Sequence, residues 1–193
     1  MDRDYEALSI RELGAGAGFR RPTQAQADKV SIESPALEVM TDLRRTTPAS
    51  IRPQAPLAGA NQFMITRGVR LLLVVDEREE VLGVISASDI LGERPMRVAI
   101  ERGLRRDELA VADIMIPAQQ VEVVALADVA AARVGHVLET LRTTGRQHAL
   151  VLDGERMVCG IFSLSQIARQ LGVSVATSGE VARTFSEIEA AIR

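Results

Sequence analysis

At 193 residues, 47% hydrophobic and with a formal net charge of −3, the chain is long enough to bury a core. It carries no excess of positive charge, which excludes the usual nucleic-acid or anionic-membrane surface. Its single cysteine, Cys159, stands in an apolar run and has no partner for an internal disulfide, so a reducing, cytoplasmic setting is expected, and no stretch reaches the roughly 18–20 apolar residues of a membrane span.

Residues 1–33 read as an N-terminal extension. The glycines of Gly14–Gly18 suggest a phosphate loop, but no buried strand precedes them and Pro22 closes off the helix that should follow. From Ser34 the texture changes. Pro35–Thr41 predicts a short helical turn ending in Met40, and Thr46–Ser50 a linker into Ile51-Arg52-Pro53. Pro56 suits a helix start, with Leu57, Ala60, Phe63 and Met64 at helical spacing and Gly68 as its stop. Leu71–Val75 is wholly apolar and reads as a buried strand, Asp76–Glu80 as a charged turn, and Val81–Ile85 as the returning strand. A helix then opens at Ser88-Asp89, and a further helical segment, Met96–Arg102, runs from Pro95 to Gly103.

The same order begins again at Val111–Met115. Val121–Val124 reads as a strand, and Asp128–Thr144 as one helix with Ala130, Val134, Val137, Leu138 and Leu141 on its apolar stripe. Gly145, Ala149–Leu152 and Asp153 parallel Gly68, Leu72–Val75 and Asp76. Gly83, Ser86 and Ile90 reappear as Gly160, Ser163 and Ile167 at one constant spacing. This is an internal repeat of two, too few for a solenoid, so the copies should close on each other. The predicted organisation is an extension (1–33), a first repeat (34–108), a second repeat (109–174) and a C-terminal amphipathic helix (175–193) with Val181, Phe185, Ile188 and Ile192 on one stripe.

Chemistry concentrates at Val81–Ile90, where an apolar strand ends in Ser86 and Asp89 follows three residues later. The spacing puts a hydroxyl and a carboxylate on one side of a first helical turn. Ser and Asp are also the commonest helix caps, which is the plainer reading of the same residues.

These residues resemble the cystathionine-β-synthase (CBS) domain family in its tandem form, the Bateman module. The resemblance rests on Val39-Met40-Thr41, Ile51-Arg52-Pro53, Gly68 with Leu73–Asp76, and Gly83–Ile90. In the second copy it rests on Asp113-Ile114-Met115, Gly145, Val151-Leu152-Asp153 and Gly160–Ser163. It implies an α/β fold (α+β) of two β-α-β-β-α repeats packed as a pseudo-twofold pair, with two clefts that often take adenosine compounds such as AMP, ADP, ATP, S-adenosylmethionine or NAD. It further implies a ligand signature at Gly83, Val84, Ile85, Ser86 and Asp89. There Asp89 would accept from the ribose hydroxyls, Ser86 would contact ribose or phosphate, and Val84 and Ile85 would hold adenine. Backbone near Ile51 would read the base edge, and Arg70 and His148, each beside an apolar strand, stand where the family often places a basic residue. In the second copy Gln166 replaces the aspartate beside Ser163, and the ribose clamp loses its charge.

No nucleophile–base pair or metal-ligand cluster stands out, so neither catalysis nor a required cofactor or metal is expected. The predicted function is regulatory sensing of an adenine nucleotide by a homodimer; the alternative is a ligand-free interaction or dimerisation module. Flanks of about 33 and 20 residues are too short for an independent fold, so the regulated effector is expected to be a separate protein.

Overall fold

The computed structural model describes residues 30–173, 185–188 and 190. A 3-10 turn at Ala36–Val39 leads into β1 (Thr41–Asp42). Then come β2 (Ser50–Ile51), α1 (Leu57–Arg67), β3 (Leu71–Val75), β4 (Val81–Ser86), α2 (Ala87–Leu91) and α3 (Arg94–Arg102). After a 3-10 turn at Arg106–Glu108 the chain forms α4 (Val111–Ile114) and β5 (Ile116–Pro117). A third such turn, Ala118–Gln120, precedes β6 (Val123–Ala125), α5 (Leu126–Ala131), α6 (Val134–Thr144), β7 (His148–Leu152), β8 (Val158–Ser163) and α7 (Leu164–Gln170). The Gly14–Gly18 tract, Val181 and Ile192 lie outside the described residues, whereas Phe185 and Ile188 sit on a helical turn and are buried.

The strands form two four-stranded sheets, ordered β2-β3-β4-β5 and β1-β8-β7-β6. Within each, the central antiparallel ladders match pair for pair. Leu71 faces Ser86 as His148 faces Ser163, and both ladders slip at the same place, between Val74 and Val75 and between Val151 and Leu152. Helices α1 and α6 both end at a glycine with φ of 64°, Gly68 and Gly145, a left-handed turn that suits a residue without Cβ. The mixed α/β fold that the resemblance implies is the one observed.

The wholly apolar strand has a direct explanation. Leu72 and Val74 of β3 point into one core with α1 and α2, while Leu71, Leu73 and Val75 point the other way, toward Leu150, Val158 and Ile161 of the second sheet. A strand covered on both faces has no position left for a polar side chain.

The edge strands reveal an exchange between the copies. β5, which opens the second repeat, pairs with β4 of the first, and β1, which opens the first, pairs with β8 of the second. Core residues follow the strands. Leu109, Val111 and Ile114, all at most 1% exposed, complete the core under the first sheet, and Ala36, Val39 and Met40 complete the core under the second.

The exchange also accounts for two local departures from the sequence reading. The helix predicted over 128–144 is broken at Ala132-Arg133, because the backbone of 32–36 pairs there. Ala36 N–H donates to the Ala132 carbonyl, and Val134 N–H donates to that of Ser34, each at 2.9 Å. The strand predicted at 121–124 starts at Val123, because Val121 N–H instead caps the 3-10 turn at the Ala118 carbonyl.

A cleavage test follows. Residues 101–108 are exposed, so trypsin should cut there, yet each half keeps an edge strand and core side chains that belong to the other. Nicked protein is expected to co-elute as one species under native conditions and to unfold in one transition. Separation into two independently folded fragments would contradict the exchange.

Candidate functional site

Both clefts open where the facing sheets diverge. The first lies at the β4–α2 corner. Val84 is buried between the sheets, and beyond it Ser86 caps α2 with Asp89 three residues on. The Asp89 carboxylate accepts the Ser86 N–H at 2.8 Å and the Ser86 hydroxyl, both through Oδ2, while Asp89 N–H donates to Ser86 Oγ at 3.3 Å. This reciprocal capping box fixes the half-buried carboxylate and leaves Oδ1 without a hydrogen-bond partner among the described residues. The Ser86 hydroxyl hydrogen is spent on Asp89, so Ser88, with its oxygen 2.9 Å from that of Ser86, is the exposed hydroxyl of this corner.

The remaining walls come from the second repeat. Ile116, Gln120–Glu122, Arg146–His148 and Leu150 close the cleft around Leu71 and Val84. Arg146 is its arginine and Glu122 its second acid. The chain just before β6 therefore stands where the sequence reading placed the backbone near Ile51.

The second cleft is related by the repeat. Thr41, Thr46–Ala49, Thr66–Leu71, His148 and Ile161 line it, with Ser163, Ser165, Gln166 and Arg169 on the remaining side. Gln166 forms no capping box; its Oε1 accepts from the Thr41 hydroxyl at 3.2 Å, tying α7 to the exchanged strand β1. The cleft volume is about 480 Å³, against about 140 Å³ beside Asp89, and both clefts open to solvent.

Of the residues predicted to share one site, Val84, Ser86, Asp89 and His148 do line one cleft. Arg70 does not join them: it lines the Gln166 cleft, although its carbonyl accepts from Ala87 N–H at 2.9 Å at the β4–α2 corner. Ile85 is fully buried on the helix side of its sheet, as alternation from inward-facing Val84 requires, and Ile51 packs against that same core. His148 lines both clefts but is not a cation: burial, reinforced by the nearby Arg70 guanidinium, pushes its pKa down to about 4. Arg146 was missed. Its only signal was its place just after Gly145 and before the second apolar strand, a place that Val69 holds in the first copy.

Among the described residues no group of three or more His, Cys, Asp or Glu is placed to hold a metal ion, and no helix is long and apolar enough to cross a membrane. Cys159 is buried, which pushes its thiol pKa up and suits a packing role.

A family model described as CBS domain matches residues 37–95. Solved structures match over both copies. A conserved protein from Pyrococcus horikoshii superposes with a TM-score of 0.56 at 23% identity, over 77% of this chain and 100% of that one. CBSX2 of Arabidopsis thaliana, a CBS-pair protein, superposes in its complex with AMP with a TM-score of 0.51 at 20% identity, over 70% and 94% of the two chains. The chain folds as a tandem CBS-domain pair. A conserved CBS domain protein of Thermoplasma acidophilum is a third such structure, at a TM-score of 0.51 and 17% identity, over 79% and 76%. No curated protein sequence matches the chain. In this CBS pair the sequence copies supply the central strands of each sheet, and the clefts take walls from both.

Proposed function

We propose that this CBS pair is a regulatory module that binds an adenosine compound in the Asp89 cleft and acts on a separate protein. The observation that carries the reading is the Asp89 carboxylate, oriented by its capping box and open at Oδ1, beside the apolar wall of Val84, Ile116 and Leu150. A carboxylate oxygen accepting from a vicinal diol selects for a ribose, and an apolar slot suits adenine. Arg146 is the cation available to a phosphate. The AMP complex of CBSX2, on the same fold, supports this ligand class.

Calorimetric titration with AMP tests this. Binding near one site per chain is expected. Asp89→Ala should weaken it about ten- to a hundredfold, since a hydrogen bond to a charged group contributes about 1.5–3 kcal/mol. Equal affinity of wild type and Asp89→Ala would refute the assignment.

The dimerisation reading has support from a different surface. Leu91, Met96 and Ile100 on and beside α3 are 63%, 55% and 74% exposed, an apolar face that pairing of two chains would cover. The proposed form is therefore a homodimer with its Asp89 clefts available to ligand.

A further inference from the structure

The Gln166 cleft differs from its counterpart in charge as well as size. Asp89 and Glu122 line the first, but the second has no acidic side chain. Asp42, beside its Thr41, is engaged at 2.8 Å by Arg44, whose guanidinium holds the Asp42 carboxyl below the usual carboxylate range. Three arginines line the cleft instead: Arg67, Arg70 and Arg169. Arg67 stacks 5.8 Å over the Phe63 ring, and Arg169 Nε donates to the Ser165 carbonyl at 3.3 Å.

Arg70 is the informative one. It is half-buried and makes no ion pair or side-chain hydrogen bond among the described residues. Withdrawing a guanidinium from water costs free energy unless an anion answers it. Around it lie neutral groups that can donate. The Gln166 amide has its oxygen occupied by the Thr41 hydroxyl, which leaves the NH2. Thr46 and Thr47, each with a hydroxyl, also line the cleft. Such a lining matches a ligand made of acceptor oxygens, and it lacks the carboxylate that would read a ribose.

We infer that the Gln166 cleft is a binding site for a compact oxyanion, a phosphate or polyphosphate group, recognised without a nucleoside. The inference stands independently of the ligand assigned to the Asp89 cleft, because it rests on Arg70 and the acid-free lining alone. The two clefts of one molecule would then sort ligands by chemistry: a nucleoside at Asp89, and a multiply charged anion at Gln166.

Titration calorimetry of the full chain with sodium tripolyphosphate at constant ionic strength, with adenosine and ATP in parallel, provides the test. One tripolyphosphate per chain is expected. Arg70→Gln and Gln166→Glu should each weaken it by at least about tenfold, the scale of a lost charge-assisted bond or an added like charge. Asp89→Ala should leave it unchanged, and saturating adenosine should not displace it. Thermal unfolding checks that each variant folds, and the nearly isosteric Gln166→Glu decides the matter should Arg70→Gln fail to fold. Absence of tripolyphosphate binding at millimolar concentration would overturn the inference. So would binding indifferent to the substitutions, or Arg70-dependent binding of ATP where tripolyphosphate does not bind.

Discussion

Gly83→Ala should destabilise the protein by about 3 kcal/mol or more, whereas Gly160→Ala, its counterpart in the repeat, should cost about 1 kcal/mol or less. Both glycines lie in the second strand of a central ladder, and each faces an exchanged strand: Gly83 pairs with Pro117 of β5, and Gly160 with Asp42 of β1. A Cβ on Gly83 would collide with the Ile116 carbonyl oxygen and stand 3.1 Å from Pro117 Cα. These are backbone atoms and cannot rotate away. β5 could yield only by pulling on α4, whose Val111 and Ile114 are fully buried in the first core. A Cβ on Gly160 would meet the Sδ and Cγ of Met40, the outer part of a flexible side chain that can adopt another rotamer. Urea unfolding of the two variants measures the difference. At roughly 2–4 °C per kcal/mol for a chain of this size, the Gly83 variant should melt at least about 6 °C lower. Equal costs would mean that the exchanged β5 is not held against β4 as described.

The second large effect is a loss of stability in mild acid. His148 is half-buried and neutral: its folded pKa is about 4, against 6.5 in the unfolded chain, chiefly through desolvation and secondarily through Arg70. As pH falls below about 6.5 the unfolded chain takes up a proton on this imidazole while the folded chain does not. The stability associated with the neutral ring is therefore present in full above that pH. It is lost progressively between about pH 6.5 and about pH 4, by at most about 3 kcal/mol. Carboxylates contribute their own acid dependence, so the informative quantity is a difference between proteins. His148→Gln, which does not titrate, should lose distinctly less stability than wild type between about pH 7 and about pH 4.5 in urea unfolding. Parallel curves for the two proteins would show that His148 charges freely in the folded state. Because His148 borders both clefts, an oxyanion bound beside Arg70 should lessen the wild type's loss.

Much of this architecture was legible in the residues. The wholly apolar Leu71–Val75 reads as a buried strand and is one, and Gly68 and Gly145 end their helices where the spacing places them. The constant spacing from Gly83, Ser86 and Ile90 to Gly160, Ser163 and Ile167 announced a pair of like units, and Asp89 with its missing counterpart at Gln166 marked the two clefts as different. These are local properties. Turn chemistry, side-chain period and repetition are all written within a few residues, and packing had only to agree with them.

Which copy supplies which wall was decided by tertiary structure. Arg70 is close in sequence to Asp89 but faces the other cleft, and Arg146 and the 120–122 segment reach Asp89 from the second repeat. The physical reason lies in the strand pairing. β3 and β4 run antiparallel, which sets Arg70 beside Ala87 at one end of their sheet, and the second repeat laid across that end divides it, contributing Arg146 and residues 120–122 to one lining and Gln166 to the other. The exchange of β1 and β5 has the same origin: two-residue strands carry too little side-chain pattern to name a partner, and only the edges left open by the other copy, with room for Ile114 and Met40 in its core, determine where they go.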